Sequence, residues 1–210
     1  MLLTETQILP PVSTFIQAIR QGGLIIESHE NYQKKSLRNR FHLGSPKGRI
    51  TLSIPLKKGK SNQSKITDVA ISYDTDWIKD LHHTLTTLLG RSAFFDHYID
   101  SLMNVFNQQY HDLWELNNEL LSWSVRSGEI DLKVSYTSSY DKVLKPTILD
   151  HRNKSLSFYK NPTSNNYIRY DQIFMLEHGF ICNLSILDLI MQRGPETGIL
   201  IKRQSMNSSK

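Results

Sequence analysis

"LLTETQILPPVSTFIQAIRQGGLIIE", Leu2 to Glu27, decides the fold. "LLTETQIL" reads as a first strand, and Pro10-Pro11 end it because neither can donate to a ladder and each restricts its predecessor. Val12, Phe15, Ile16 and Ile19 then recur at i, i+3, i+4 and i+7, the apolar face of a short helix. Gly22 and Gly23 stop that helix. "LIIE" follows as a short apolar strand of the kind buried on both faces. Strand, helix and strand in so short a span make a parallel unit with a right-handed crossover. The class is therefore α/β, with α+β as its near variant.

Downstream, the basic segment "HENYQKKSLRNR" (His29 to Arg40) separates this unit from "FHLGSPKGRITLSIPL", which reads as a hairpin turning at "GSPKG". "KKGKSNQSK" reads as a polar surface loop and "ITDVAISY" as an alternating strand. Three helices are predicted next: one with the stripe Trp77, Leu81, Leu85 and Leu88, one from about Phe94, and one from about Asp112 to Arg126. "IDLKVSY" alternates as a strand. Lys142 to Asn166 reads as a long surface excursion, "NYIRYDQIF" and "GFIC" as short strands, and "SILDLIMQR" as a helix capped by Ser185 and stopped by Gly194-Pro195. The expected whole is one domain over 1–210: a mixed sheet opened by the parallel unit, with a hairpin, a central helical section and a flexible tail from about 203.

The chain has 210 residues and a net charge of +5, a balance that favours anionic partners. Its basic residues alternate with Asn and Ser rather than with stacking aromatics, which argues against a nucleic-acid binder. The single cysteine, Cys182 in "GFICNLSIL", excludes an internal disulfide and a Cys-based metal site and reads as a buried small hydrophobe. No signal-peptide pattern opens the sequence and no window is apolar enough to span a membrane, so a cytoplasmic protein is expected. Neither G-x-G-x-x-G, a Walker A loop nor H-E-x-x-H occurs. Asp76, Asp80 and His83 share a helical face but read as a solvated one, so no metal site is predicted, and the sequence names no cofactor.

Two readings fit the basic segment. If it leaves a buried strand at the carboxyl edge of an α/β sheet, it lies where such sheets bind ligands. Arg38 or Arg40 can then grip a phosphate or carboxylate, Lys34 can add charge, Asn31 and Asn39 can read hydroxyls, and Tyr32 can stack on a ring. In the other reading the cations are solvated or paired with Glu27 or Glu30, and Asn39 caps a turn. The helix start behind Pro10-Pro11 is a natural anion site. Asp188, inside an apolar helix, needs a partner. Arg152, Arg169 or the basic segment could supply it, and the sharper alternative makes Asp188 a general base. Glu30 is the second catalytic candidate.

"ILPPVSTF", "HENYQKKSLRNRFHL", "LSIPL", "W…RSAFFDHY" and "GFICNLSILDLIMQRGPE", in that order, resemble the WbqC-like protein family. The resemblance spans nearly the whole chain. It implies a transferase or accessory enzyme of bacterial surface polysaccharide (O-antigen-like, lipopolysaccharide) biosynthesis, acting on a phosphorylated or nucleotide-linked sugar or acyl donor. A non-catalytic scaffold of a glycan assembly complex, with other assembly proteins as partners, is the alternative. An Asp-x-Arg of a shorter family branch matches Asp150 and Arg152. Two positions depart from the family pattern: Leu81 stands where many relatives have His, and Ala93 where a Pro is usual.

The site is therefore expected where His29 to Arg40 folds over the sheet's carboxyl edge beside the Pro11 turn, with Asn183 and the rest of "NLSILDL" closing a third side. Its cations are expected to outnumber its acids. Arg38→Ala is then expected to remove binding at little cost in stability.

Overall fold

The computed structural model describes residues 1–57, 64–154 and 167–207. Strand β1 (Leu2–Glu5), helix α1 (Val12–Arg20) and strand β2 (Leu24–Glu27) form the expected parallel unit. The register runs from Leu2 opposite Leu24 to Glu5 opposite Glu27. Val12, Phe15, Ile16 and Ala18 of α1 are at most 1% exposed, and Ile19 at its end is half-buried. Gly22, at φ +76, makes the left-handed turn that lets the chain leave α1 and start β2.

β3 (Arg40–Ser45) and β4 (Gly48–Ser53) pair antiparallel as a hairpin in a ladder of their own. The helices α2 (Trp77–Leu89), α3 (Phe95–Asn107) and α4 (Leu113–Ser127) fall where periodicity places them, with Trp77, Leu81, Leu85 and Leu88 buried as one stripe. The Asp112 side chain caps α4 by accepting from the Glu115 amide at 2.9 Å. β5 (Val134–Tyr136) then pairs parallel with β2. β6 (Leu149–Asp150) pairs parallel with β1 on its other side. The sheet order is β5-β2-β1-β6, all parallel. The chain leaves β1 toward β2 and returns beyond β1 as β6, so the topology switches direction between β1 and β6. α5 (Met175–His178), α6 (Ile186–Arg193) and α7 (Glu196–Met206) complete the described elements.

Four segments differ from the sequence reading. "ITDVAISY" is a 3-10 turn at Ile66–Asp68 followed by isolated bridges at Ala70 and Ile71. Val69 and Ile71 are buried, but so are Ala70 and Ser72, so the sequence alternation does not become a two-faced strand, and each bridging residue meets a single partner. The predicted excursion carries β6 in its described part, 142–154, while 155–166 lies outside the described residues. The predicted strands around Ile168 and Ile181 are irregular. There the Gln172 side chain donates to the Ile181 carbonyl at 2.8 Å and accepts from its amide at 2.9 Å, replacing a ladder. The helix capped by Ser185 does stop at Gly194-Pro195, but it is not the last: Pro195 opens α7, because a proline's missing N–H costs nothing at a helix start. α7 therefore runs past 203, where the sequence suggests that a flexible tail begins. Its Gly198 lies against the α4 terminus, donating to the Gly128 carbonyl at 2.7 Å, and a Cβ there would stand 2.1 Å from the Glu129 carbonyl. Most of "KKGKSNQSK" lies outside the described residues. Among those described, no helix is long and apolar enough to cross a membrane.

Candidate functional site

The carboxyl ends of the parallel strands carry charge. Glu5 and Glu27 close β1 and β2 on the same rung and are 2% and 0% exposed. Burying two carboxylates side by side requires donors. Glu27 accepts from the His29 amide at 3.0 Å, the Thr137 hydroxyl at 2.6 Å and the Arg152 guanidinium at 2.9 Å. Glu5 accepts from the Asn153 amide at 2.9 Å. That bond ties the loop after β6 to the end of β1 across the switch point.

The opening of the basic segment folds back into this network. Glu30 accepts from the Thr6 amide at 3.2 Å and from Arg38 Nε at 3.1 Å, and its second oxygen pairs with Arg38 Nη2. Arg38 Nη2 also donates to Asn153 Oδ1 at 2.8 Å. From below, Asn117 of α4 donates to the Arg38 carbonyl at 2.9 Å and to the Thr6 hydroxyl at 3.2 Å. Arg152 holds Asp150 with two guanidinium nitrogens, at 3.1 and 3.0 Å, and lies 4.5 Å from the Tyr140 ring centre. Desolvation by burial raises the Glu30 carboxyl to about 7; Arg38 opposes that rise, and nearby Glu5 adds to it. Arg152 is raised as well, which for a guanidinium means further into its cationic range, above all by its hydrogen bonds to Asp150.

Over this network opens a cleft of about 570 Å³ lined by His29, Glu30, Asn31, Gln33, Tyr140 and Asn153. The lining comes from the segments that follow β2, β5 and β6, at the sheet edge where open α/β folds bind ligands. A groove of about 650 Å³ between α2 and α3 contains Asp76, Lys79, His82 and Asp100 but none of the sheet-edge residues.

A model of the WbqC-like protein family matches residues 7–156. The chain belongs to that family. Membership connects it to polysaccharide-related biosynthesis and defines no substrate or reaction. The match takes in the WbqC-like chain's basic segment, hairpin, central helices and β6, and stops before Asn183 and Asp188. Comparison with curated proteins and with solved structures gives no match.

The residues singled out in the sequence divide. Glu30 and Asn31 line the cleft, and Arg38 and Arg152 lie in the network beneath it, both neutralised. The pairing of Arg38 with Glu30 is the second of the two readings of the basic segment. Lys34 is exposed. Tyr32 is buried and donates to Asn39 Oδ1 at 3.2 Å, while Asn39 donates to the Ile54 carbonyl at 3.0 Å, so this pair braces the segment from inside. Arg40 faces outward from β3. Pro11 bridges to Ser185, and the first helical amides of α1 are satisfied by the protein: Val12 by the Leu184 carbonyl at 3.1 Å, Ser13 by Asn183 Oδ1 at 2.9 Å. The "NLSILDL" segment does close on the Pro11 turn, but as a cap.

Asp188 meets neither Arg152, Arg169 nor the basic segment. It accepts from the Tyr170 hydroxyl at 2.7 Å and from the Gly44 amide, outside the cleft. Among the described residues the expected cation surplus is not found: Glu5, Glu27, Glu30 and Asp150 stand with Arg38, Arg152 and, at the edge, Lys154. The acids arrive from strand ends remote in sequence from the basic segment. The reading of that segment named Glu27 only as a partner for its cations, gave no role of their own to His29 and Gln33, and missed Glu5, Tyr140 and Asn153. The one available signal was an acidic residue ending each strand of the parallel unit.

Proposed function

We propose that the cleft binds the sugar or acyl portion of a phosphorylated or nucleotide-linked donor, and that the protein is a transferase of surface polysaccharide biosynthesis. The observation that carries this reading is the lining itself. Three amides (Asn31, Gln33, Asn153), an imidazole and a phenol surround one carboxyl whose proton is exchangeable near neutral pH. Amides pair donor and acceptor with the two roles of a sugar hydroxyl, and a phenol offers its face to a ring. In the proposed step an acceptor hydroxyl attacks the activated carbon, its proton passes to Glu30, and the phosphorylated leaving group departs with the bonding electrons. Family membership supports the polysaccharide context of this reading.

The test is a thermal-shift and calorimetric panel of nucleotide sugars, sugar phosphates and acyl-CoA species on wild type, Asn31→Ala and Asn153→Ala. A ligand at a hundredfold excess over its dissociation constant stabilises by about 2.7 kcal/mol, readily seen as a rise in Tm. Loss of that rise in both variants, with Asp100→Ala as an unaffected control, supports the cleft. A silent panel, or a response indifferent to both substitutions, overturns the proposal and favours a scaffold without small-molecule binding.

A further inference from the structure

The hairpin carries a surface that the cleft does not use. Its register places Arg40 opposite Ser53, His42 opposite Thr51 and Gly44 opposite Arg49. Directly opposed residues share a face. Phe41 and Leu43 point into the core, 2% and 0% exposed, so Arg40, His42 and Arg49 all lie on the outer side, one cation or imidazole per rung. Arg40 to Ser53 contains no Asp or Glu. Among the described residues Arg40 makes no ion pair, and its Nε is buried without a hydrogen-bond partner. Buried guanidinium donors are almost always satisfied, and an unsatisfied one is costly.

The electrostatics agree. Burial drives His42 down to about 4, and both charges acting on it, Arg49 and Arg40, are cationic and push the same way. Its imidazole is thus neutral at pH 7, with Nδ1 3.0 Å from the Thr51 hydroxyl. Arg49 spends one nitrogen on the Cys182 carbonyl at 2.7 Å and adds its charge to the face. Two further titratable groups are held to this end of the hairpin: His178, whose Nε2 lies 2.9 Å from the Ser45 carbonyl, and the buried Asp188, which accepts from the Gly44 amide; Lys47 stands in the turn, and Tyr32 lies close enough to Arg40 to feel its charge.

We propose that this outer face is a phosphate-binding site, with Arg40 as the fork that grips the anion and Arg49 supplying further positive field. A phosphate offers several acceptor oxygens and up to two charges, which matches a side-on guanidinium with a desolvated Nε. None of these residues lines the cleft, so the site is distinct from the proposed sugar site. The phosphate belongs either to a soluble phosphoryl compound or to an anionic lipid headgroup.

The deciding experiment titrates the isotope-labelled full-length chain with inorganic pyrophosphate, following the Arg40 Nε–H and His42 ring signals by NMR. Saturable shifts at both are expected. The His42 pKa should rise, because a bound anion offsets the two guanidiniums. Arg40→Gln should weaken binding roughly tenfold or more, and Arg40→Lys less, since it keeps the charge and loses the fork. Parallel arms use UDP and vesicles of phosphatidylcholine with phosphatidylglycerol; binding to one or the other, lost in Arg40→Gln, assigns the source. If Arg40→Gln does not fold, the wild-type shifts decide alone. No saturable change at Arg40 or His42, the largest shifts at Asn31 and Asn153, or undiminished binding by a folded Arg40→Gln overturns the site.

Discussion

Arg38 and Glu30 form a buried ion pair at the floor of the cleft, at 1% and 4% exposure. The pair joins the segment after β2 to the Thr6 amide beyond β1 and to Asn153 beyond β6, so it fixes three segments around the cleft at once. Arg38 is thus the rivet of the site rather than a free anion receptor.

That position reverses the sequence expectation for Arg38→Ala. Removing one member of a buried pair leaves the other charge uncompensated, a loss of about 3–5 kcal/mol. Urea unfolding followed by circular dichroism should show a loss of that size. The double variant Arg38→Met, Glu30→Leu should recover most of it, because a matched apolar replacement leaves no orphan charge. An Arg38→Ala variant within about 1 kcal/mol of wild type would show that the pair is not desolvated in solution.

Asp188 gives a pH signature. Burial raises its carboxyl to about 6, against the lowering effects of the Tyr170 hydrogen bond and the Gly44 amide. A folded pKa above the unfolded value means that the fold binds the proton more tightly. The associated stability is therefore full below about 4 and lost as pH rises through about 6. Asp188→Asn has no such titration. The stability difference between wild type and D188N should shift in favour of the variant by about 2 kcal/mol between pH 4 and pH 7, at about 1.36 kcal/mol per unit. Taking the difference cancels Glu30, which titrates in the same direction. A flat difference across that range refutes the assignment.

Much of the fold was legible in sequence because its signals are local. A Gly-Gly stop between an amphipathic helix and "LIIE" fixes the parallel unit, and Leu stripes at helical spacing fix α2 and α4. β6 was illegible because two residues are too few to carry an alternation; only pairing with β1 makes Leu149–Asp150 a strand. The site was half legible for the same reason. Arg38 and Glu30 lie together in the segment from His29 to Arg40, whereas Glu5, Glu27, Arg152 and Asn153 come from separate strand ends. Charge balance across a sheet edge is a property of topology, which no window of sequence contains.

Gly198 tests the docking of α7 on α4. An added methyl would lie 2.1 Å from the Glu129 carbonyl and 3.0 Å from that of Gly128, both backbone atoms that cannot swing aside. Gly198→Ala should cost about 1–3 kcal/mol despite its higher helix propensity, as overpacking does elsewhere. A thermal melt showing a raised Tm would mean that α7 is not seated against the α4 terminus.

Arg152 is predicted to control the wall of the cleft rather than the whole fold. Its guanidinium holds Asp150 in a fork, reaches Glu27, bonds the Asp141 carbonyl at 2.9 Å and lies over Tyr140, so one side chain fastens both ends of the segment between β5 and β6. Lysine keeps the charge and cannot make the fork. In Arg152→Lys the amides of Leu149 and His151, which donate to Met1 and Leu3 carbonyls at 2.9 and 2.8 Å, should exchange with solvent roughly tenfold to a hundredfold faster. Amides between β1 and β2 do not depend on Arg152 and should keep their protection. Because Tyr140 and Asn153 form part of the cleft lining, any ligand found there should lose affinity in the same variant. Unchanged exchange at Leu149 and His151 would mean that strand pairing alone holds β6, and Arg152 would then be a neutralising partner for Glu27 without a positioning role.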